Sequence, residues 1–228
     1  MLCLYLQAPF ATFRTFTAGS FRPTAAFITP SAAYGLLLNL AGIEIRKDDG
    51  KSYMTLIRDQ LPKFKLAIGA LEFPLQHSVY QQLHNYPVGA DAGKKYKPLA
   101  YGNKYNITPV RRSFLSDIYA YLCLNGNAEL ENQIQEGLKG NRPREYGLPF
   151  LGDNNFLIDK IECVSEIQPA YWFERLQSEN DEGMRERVTR LTISIDRADL
   201  SNTNSDLFTP TSEKTKTIPE GAWITVGY

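Results

Sequence analysis

Along residues 1–164 the spacing of apolar residues switches from two to about four and back, twice, and few folds accept that succession. Leu2, Leu4 and Leu6 alternate with Cys3 and Tyr5, so Leu2 to Gln7 predicts a strand. Ala8 to Pro30, rich in Thr, Phe and Pro, shows no period and is expected to form a long loop. Ser31 follows Pro30 at the position of an N-cap, and Ala32 to Ala41 predicts a helix. Its buried stripe is Leu36, Leu37 and Leu40, with Ala33 on the edge and Gly42 as the stop. Lys51 to Gln60 suggests a short helix before Pro62. Phe64, Leu66, Ile68 and Ala70 alternate with Lys65, Ala67 and Gly69 as a strand does. Phe114, Ser116, Ile118, Ala120, Leu122 and Leu124 are placed on one face of a further strand, closed by the turn pair Asn125-Gly126. Ala128 to Leu138 predicts a second helix, with Leu130, Ile134 and Leu138 spaced by four and Gly140 as its stop. A last strand is expected over Phe156 to Val164. The order β-α-β-β-α-β is that of the α+β, ferredoxin-like (RRM-like) domains. That superfold serves many functions, so function has to come from particular residues.

Beyond residue 165 the pattern changes. Gln177 to Arg187 is strongly charged, Val188 to Asp196 alternates as a strand, and Leu200 to Pro219 is full of Ser, Thr, Asn and Lys. Ala222 to Val226 reads as a short final strand. The expected organisation is a domain over 1–165 and a small β-rich C-terminal appendage over 166–228. With 228 residues, 43% of them hydrophobic, the chain has enough apolar material for a sizeable core. No apolar run approaches the ~20 residues that cross a bilayer. The start, MLCLYLQAPF, lacks the basic region of a signal peptide, so the chain reads as cytoplasmic with no membrane partner. Cys3, Cys123 and Cys163 are far apart and odd in number, which gives neither a disulfide framework nor a CxxC zinc pair. Three buried thiols are expected.

The formal net charge is zero, which excludes coating nucleic acid by bulk charge. The distribution is uneven. Residues 1–43 hold Arg14 and Arg22 and no acid, and residues 85–112 hold six bases against Asp91. Residues 153–206 hold twelve acids against six bases. One face is thereby suited to phosphate and another to a different partner.

No phosphate-binding GxxxxGK[ST] loop, dinucleotide GxGxxG, HExxH or GxSxG is present. Two histidines, His77 and His84, cannot make a His-rich metal site, and no metal or cofactor is expected. Glu129 and Glu131 sit two apart on a helix and do not share a face. The stretch KKYKPLAYGNKYN, residues 94–106, interleaves Lys94, Lys95, Lys97 and Lys104 with Tyr96, Tyr101 and Tyr105. Cations on phosphates and aromatic rings under bases are how single-stranded RNA is held. The region from about 84 to 110 has no apolar run for a core and is expected to project. Arg111 and Arg112 are adjacent on a strand, so they point to opposite faces. Arg142 and Arg144 flank Pro143 in a Gly-rich loop, where Gly140, Gly147 and Gly152 let backbone amides approach phosphate.

LYLQAPFATFRTF, with SFRPTAAFITPSAAYGLLLNLAGIE after it, resembles the start of the CRISPR-associated Cas-five family. The resemblance falls on Ala11, Phe13 and Arg14, then Pro30, Ser31, Ala32, Gly35, Leu36 and Leu37, then Gly42. YGLPFLGDNNF, residues 146–156, looks like that family's Gly-rich stretch. The resemblance implies a ferredoxin-like domain with a projecting β-hairpin thumb at about 84–110. It also implies a role in a type I Cascade complex: holding the 5′ handle of the CRISPR RNA, capping the Cas-seven backbone, contacting a large Cas-eight-type subunit, and meeting target DNA through the complex. Arg14, Arg22, the Lys/Tyr thumb, Arg111, Arg112, Arg142 and Arg144 would be its RNA contacts. One branch of the family is a metal-independent endoribonuclease whose catalytic set is a Tyr with an adjacent Lys and His. No Lys-His pair occurs in this sequence, so a non-catalytic subunit is expected, with the endoribonuclease and a mainly protein-binding assembly subunit as alternatives.

Overall fold

The computed structural model describes residues 1–15, 21–51, 55–84, 107–176 and 187–228. Among them lie ten strands of one sheet. Strand β1 (Leu2–Ala11) leads through β2 (Phe21–Arg22) to helix α1 (Pro30–Leu40). A small hairpin, β3 (Arg46–Lys47) with β4 (Leu56–Ile57), precedes β5 (Phe64–Glu72) and β6 (Leu75–His84). Next come the 19-residue β7 (Ile107–Asn125), helix α2 (Ala128–Leu138) and β8 (Lys160–Val164). The chain ends with β9 (Tyr171–Arg175), β10 (Thr189–Ser194), β11 (Asn204–Pro210) and β12 (Ile224–Val226). The sheet runs β10-β11-β9-β5-β7-β1-β8, with β12 also on β5 and with β2 and β6 also on β7. The four strands that alternate with the helices are thus ordered β5-β7-β1-β8, all antiparallel.

Several elements differ from the sequence expectation for identifiable reasons. Strand β1 continues to Ala11, because Phe10 and Ala11 still pair with Ser116 and Leu115. The cap of α1 is Thr29, not Ser31. Its hydroxyl accepts from the Ala32 amide at 3.2 Å, and Pro30 takes the first helical position, where its missing N–H costs nothing. The expected helix at Lys51–Gln60 is replaced over its described residues by β4, which pairs with Arg46 and Lys47. Strand β6, its partner stretch before Phe114, and strand β11 have sequences too polar to stand out, and the aromatic run of β9 is too short to show a period. Strand β11 lies within the polar stretch Leu200–Pro219. Both β9 and β12 pair with β5, so residues expected to form an appendage extend the central sheet.

Both helices cover one face of the sheet. Leu2, Leu4 and Leu6 meet Leu66, Leu122 and Leu124 there, under Leu37, Leu40, Leu130 and Ile134. The helices touch so closely that a Cβ at Gly137 would stand 1.7 Å from the Leu40 carbonyl oxygen. The opposite face is closed by Trp172, Tyr121, Ala67, Ala170 and Ala222. Gly69 is what admits the Trp172 ring, which would lie 2.9 Å from a Cβ at that position. Cys3 and Cys123 face one another across β1 and β7, 4.1 Å apart at Cα, and are joined as a disulfide, while Cys163 is exposed on β8. This corrects the expectation of three buried thiols. Spacing in the chain says nothing of strand register, which is what brings two cysteines 120 residues apart into contact.

The side-chain phase of β1 and β7 reverses part-way. Ala8 and Ile118 face the helices, and so do Ala11 and Leu115, three positions on in each strand. Asp117 lies in the left-handed region with φ of 60°, opposite Pro9, and the strands turn over there. Phe114 and Ser116 therefore do not share a face with Ile118, contrary to strict alternation.

Candidate nucleic-acid interface

Beyond the turn-over point β7 leaves the body of the sheet with β6 on one side and the short β2 on the other. Every residue of β6 from Leu75 to Gln82 is exposed, whereas its partner β7 keeps Val110, Ser113 and Leu115 buried, so β6 is the outer strand of this ribbon. It runs up to residues 85–106, and so Lys94, Lys95, Tyr96, Lys97, Lys104 and Tyr105 lie outside the described residues.

The two faces of the ribbon carry different chemistry. On one, Phe21, Arg111 and Tyr80 stand in register across β2, β7 and β6. Phe21 is 47% and Tyr80 65% exposed, and the Arg111 guanidinium lies 5.8 Å from the Phe21 ring centre. Arg111 is aimed by Ser78, whose hydroxyl accepts from Nε at 3.2 Å and from Nη2 at 3.1 Å. On the other face Arg22 and Arg112 are neighbours. Arg112 is largely buried and forms a charge-assisted hydrogen bond with Asp153, whose Oδ2 also lies 4.0 Å from Arg14. Burial alone would raise the Asp153 carboxyl. The Arg112 hydrogen bond, the Asn155 amide and the charges of Arg112 and Arg14 outweigh it and hold the carboxyl below the usual carboxylate range. Arg14 remains well exposed.

Arg142 and Arg144 are placed by the helices. Arg142 donates through Nε to the Ala41 carbonyl at the end of α1, and Arg144 through Nη2 to the Gly137 carbonyl of α2 at 2.8 Å. Cations there satisfy carbonyls that a helix end leaves open. Of the loop glycines, Gly152 has φ of 77°, and a Cβ on it would stand 1.6 Å from the Thr12 carbonyl oxygen. Its role is close approach to β1 rather than to a phosphate. No Cβ at Gly140 or Gly147 would meet anything within 4 Å.

Between α1, the β3–β4 hairpin and residues 146–154 lies a cleft of about 500 Å3. Arg46 lies 3.8 Å over the Tyr146 ring and is held by Glu44 at 2.6 Å. The hydrogen bond from Arg46 keeps the Glu44 carboxyl below its ordinary range. His77, exposed at the base of the ribbon, meets Ser116 at 2.9 Å through Nε2. The side chain of His84 lies outside the described residues. Glu129 and Glu131 are separately engaged, by Gln133 at 3.1 Å and by the terminal amine at 3.1 Å. Among the described residues no group of three His, Cys, Asp or Glu side chains is placed to hold a metal, and no helix is long and apolar enough to cross a membrane.

Phe21 and Tyr80 escape a reading of the sequence, because neither shows a period and β6 reads as polar. The signal for them is spatial: both become neighbours of Arg111 only through strand register.

The chain resembles known proteins in both sequence and shape. A solved structure titled "CRISPR RNA-guided surveillance complex" superposes with a TM-score of 0.57 at 13% identity, covering 97% of this chain and 95% of that one. Another, titled "Crystal structure of Cas protein", has a TM-score of 0.52 at 16% identity, covering 97% and 98%. At such identities the likeness concerns the fold. No curated protein matches the chain. The model of the family described as CRISPR-associated protein (Cas_Cas5) matches residues 1–159, and the chain belongs to that family.

Proposed function

We propose that this chain is a non-catalytic subunit of a type I Cascade complex that holds the 5′ handle of the CRISPR RNA and caps the Cas-seven backbone beside the large subunit. Its body is read as ferredoxin-like, an assignment supported by the strand order β5-β7-β1-β8 beneath α1 and α2. Its thumb is read as the β6–β7 ribbon. The observation that carries the RNA reading is the exposed row Phe21–Arg111–Tyr80. Two rings and a guanidinium in line offer stacking to successive bases and a contact to the phosphate between them. The row lies on the two strands that flank the Lys/Tyr stretch in sequence, and on β2.

The test is binding of labelled repeat RNA to the chain in EDTA at several salt concentrations, with cleavage read on the same sample. Replacing Lys94, Lys95 and Lys97 together by Ala is expected to weaken binding and to flatten the plot of log affinity against log salt by about 2, at ~0.7 per phosphate contact to a single strand. Tyr80→Ala is expected to weaken binding about tenfold at every salt concentration, as loss of stacking does. Unchanged affinity and slope in both variants would refute the thumb as an RNA clamp. Site-specific cleavage in EDTA would make the chain an endoribonuclease instead.

A further inference from the structure

At the turn-over point of β7, on the face opposite Phe21–Arg111–Tyr80, a shallow open pocket of about 380 Å3 is lined by Pro9, Phe10, His77, Phe114, Ser116 and Asp117. Three rings form its apolar wall. His77 stacks on Phe114 at 5.3 Å and 26°, and Phe10 meets Phe114 edge to face at 5.6 Å. Phe10 is 44% exposed although it sits on a central strand. The polar wall is one directed chain of hydrogen bonds. Ser116 donates its only hydroxyl proton to Asp117 Oδ2 at 2.8 Å, so the 2.9 Å contact with His77 has Nε2–H as donor. The chain holds the carboxylate in one orientation and leaves Oδ1 with no hydrogen bond to any described residue. Asp117 itself occupies a left-handed backbone position, a strained arrangement of the kind found at ligand sites. Arg14 and Arg22 lie on this side of the chain, close to Arg112 and Asp153.

We propose that this pocket receives a single splayed-out guanine of a bound RNA strand. The inference rests on the RNA-binding reading above and adds a base preference to it. Flat rings offer stacking to any base. A fixed carboxylate does not treat bases alike. Guanine presents two adjacent donors, N1–H and the N2 amine, that match two carboxylate oxygens. Adenine and cytosine each set a ring acceptor beside their single amine, and that acceptor would face the second oxygen. The negative charge also turns phosphate away from the pocket and toward Arg14 and Arg22, so base and backbone are sorted.

The test is fluorescence anisotropy of the full chain with three labelled RNAs: oligoadenylate, the same strand with one central guanine, and the same strand with inosine in that place, which lacks the N2 amine. Guanine is expected to bind about tenfold or more tightly than adenine, with inosine between them, the discrimination that one paired edge supplies. Asp117→Asn suits the left-handed backbone and is expected to keep the thermal midpoint. It should abolish the guanine preference, and oligoadenylate should bind at least as tightly as before, because the amide offers adenine one donor beside one acceptor and no longer repels phosphate. Phe10→Leu, which keeps an apolar side chain there, is expected to weaken all three equally. Equal affinities for the three strands, or a guanine preference that survives Asp117→Asn, would overturn the pocket alone; the first is also the result if a protein segment seats on Phe10. Failure of all three strands to bind would overturn the pocket and the RNA-binding reading together.

Discussion

Arginine is the residue type on which most of the candidate interface rests, and six arginines with the same charge have three different fates here. Arg111 is exposed between two rings, and Arg14 is exposed beside an acid. Arg22 is half-buried on β2. Arg112, Arg142 and Arg144 are bound to Asp153, to the Ala41 carbonyl and to the Gly137 carbonyl. Those bonds align the Gly-rich loop with the ends of both helices. Asp153→Asn should therefore destabilise the protein, because it leaves the largely buried Arg112 short of a charged partner. A loss of about 1.5–3 kcal/mol is expected for a hydrogen bond to a charged group. The carboxyl is depressed in the folded state, so its stabilisation is fully present above its unfolded pKa of about 3.9 and is lost as pH falls through the lower folded value. Melting the wild type and Asp153→Asn from neutral to strongly acid pH should show midpoints that differ at neutrality and converge in acid. A constant gap would mean that the effect is not ionic.

Elements with a strong period were legible in the chain. Helix α2 lies at Ala128–Leu138 as its four-residue spacing predicts, and β5 follows its alternation. Helix α1 is buried on nearly every side, with Tyr34, Leu36, Leu37, Leu38 and Leu40 all inside, so its sequence shows a run of apolar residues rather than a stripe. The missed elements are those whose place is decided by a neighbour. Strand β6 is polar because no core covers it, and β4 exists by pairing with β3. Two glycines on the helices separate packing from propensity. Gly137→Ala drives a methyl group into the Leu40 carbonyl, which is backbone and cannot swing aside. Chemical unfolding should show a loss of about 3 kcal/mol, at the upper end of what overpacking does. Gly35→Ala meets only Ile45 Cδ1 at 3.9 Å, ordinary contact, and is expected to stabilise α1 by about 0.5–1 kcal/mol. The two changes having the same sign would disprove the packing argument.

The whole molecule differs from an open RNA-recognition sheet in that both faces are covered. Helices close one, and the C-terminal segments close the other through Trp172, which stacks near Tyr121 and donates from its indole to the Thr215 carbonyl at 3.1 Å. The exposed rings are consequently displaced to the ribbon and to the strand turn-over. Trp172→Ala should cost about 3–5 kcal/mol in denaturant unfolding, as core aromatic truncations do, and should free β9 from β5. Retained stability would mean that the C-terminal residues do not complete the sheet. The succession of periods, the two helices and the resemblance in the first 44 residues were written in the chain, because local spacing and short motifs are local facts. Register was not. It joins Cys3 to Cys123, sets Tyr80 and Phe21 beside Arg111, and turns Phe114 away from Ile118, since each depends on which strand lies alongside and on the sharp backbone at Asp117. Those choices belong to the assembled sheet, where burial and pairing of distant segments are settled together.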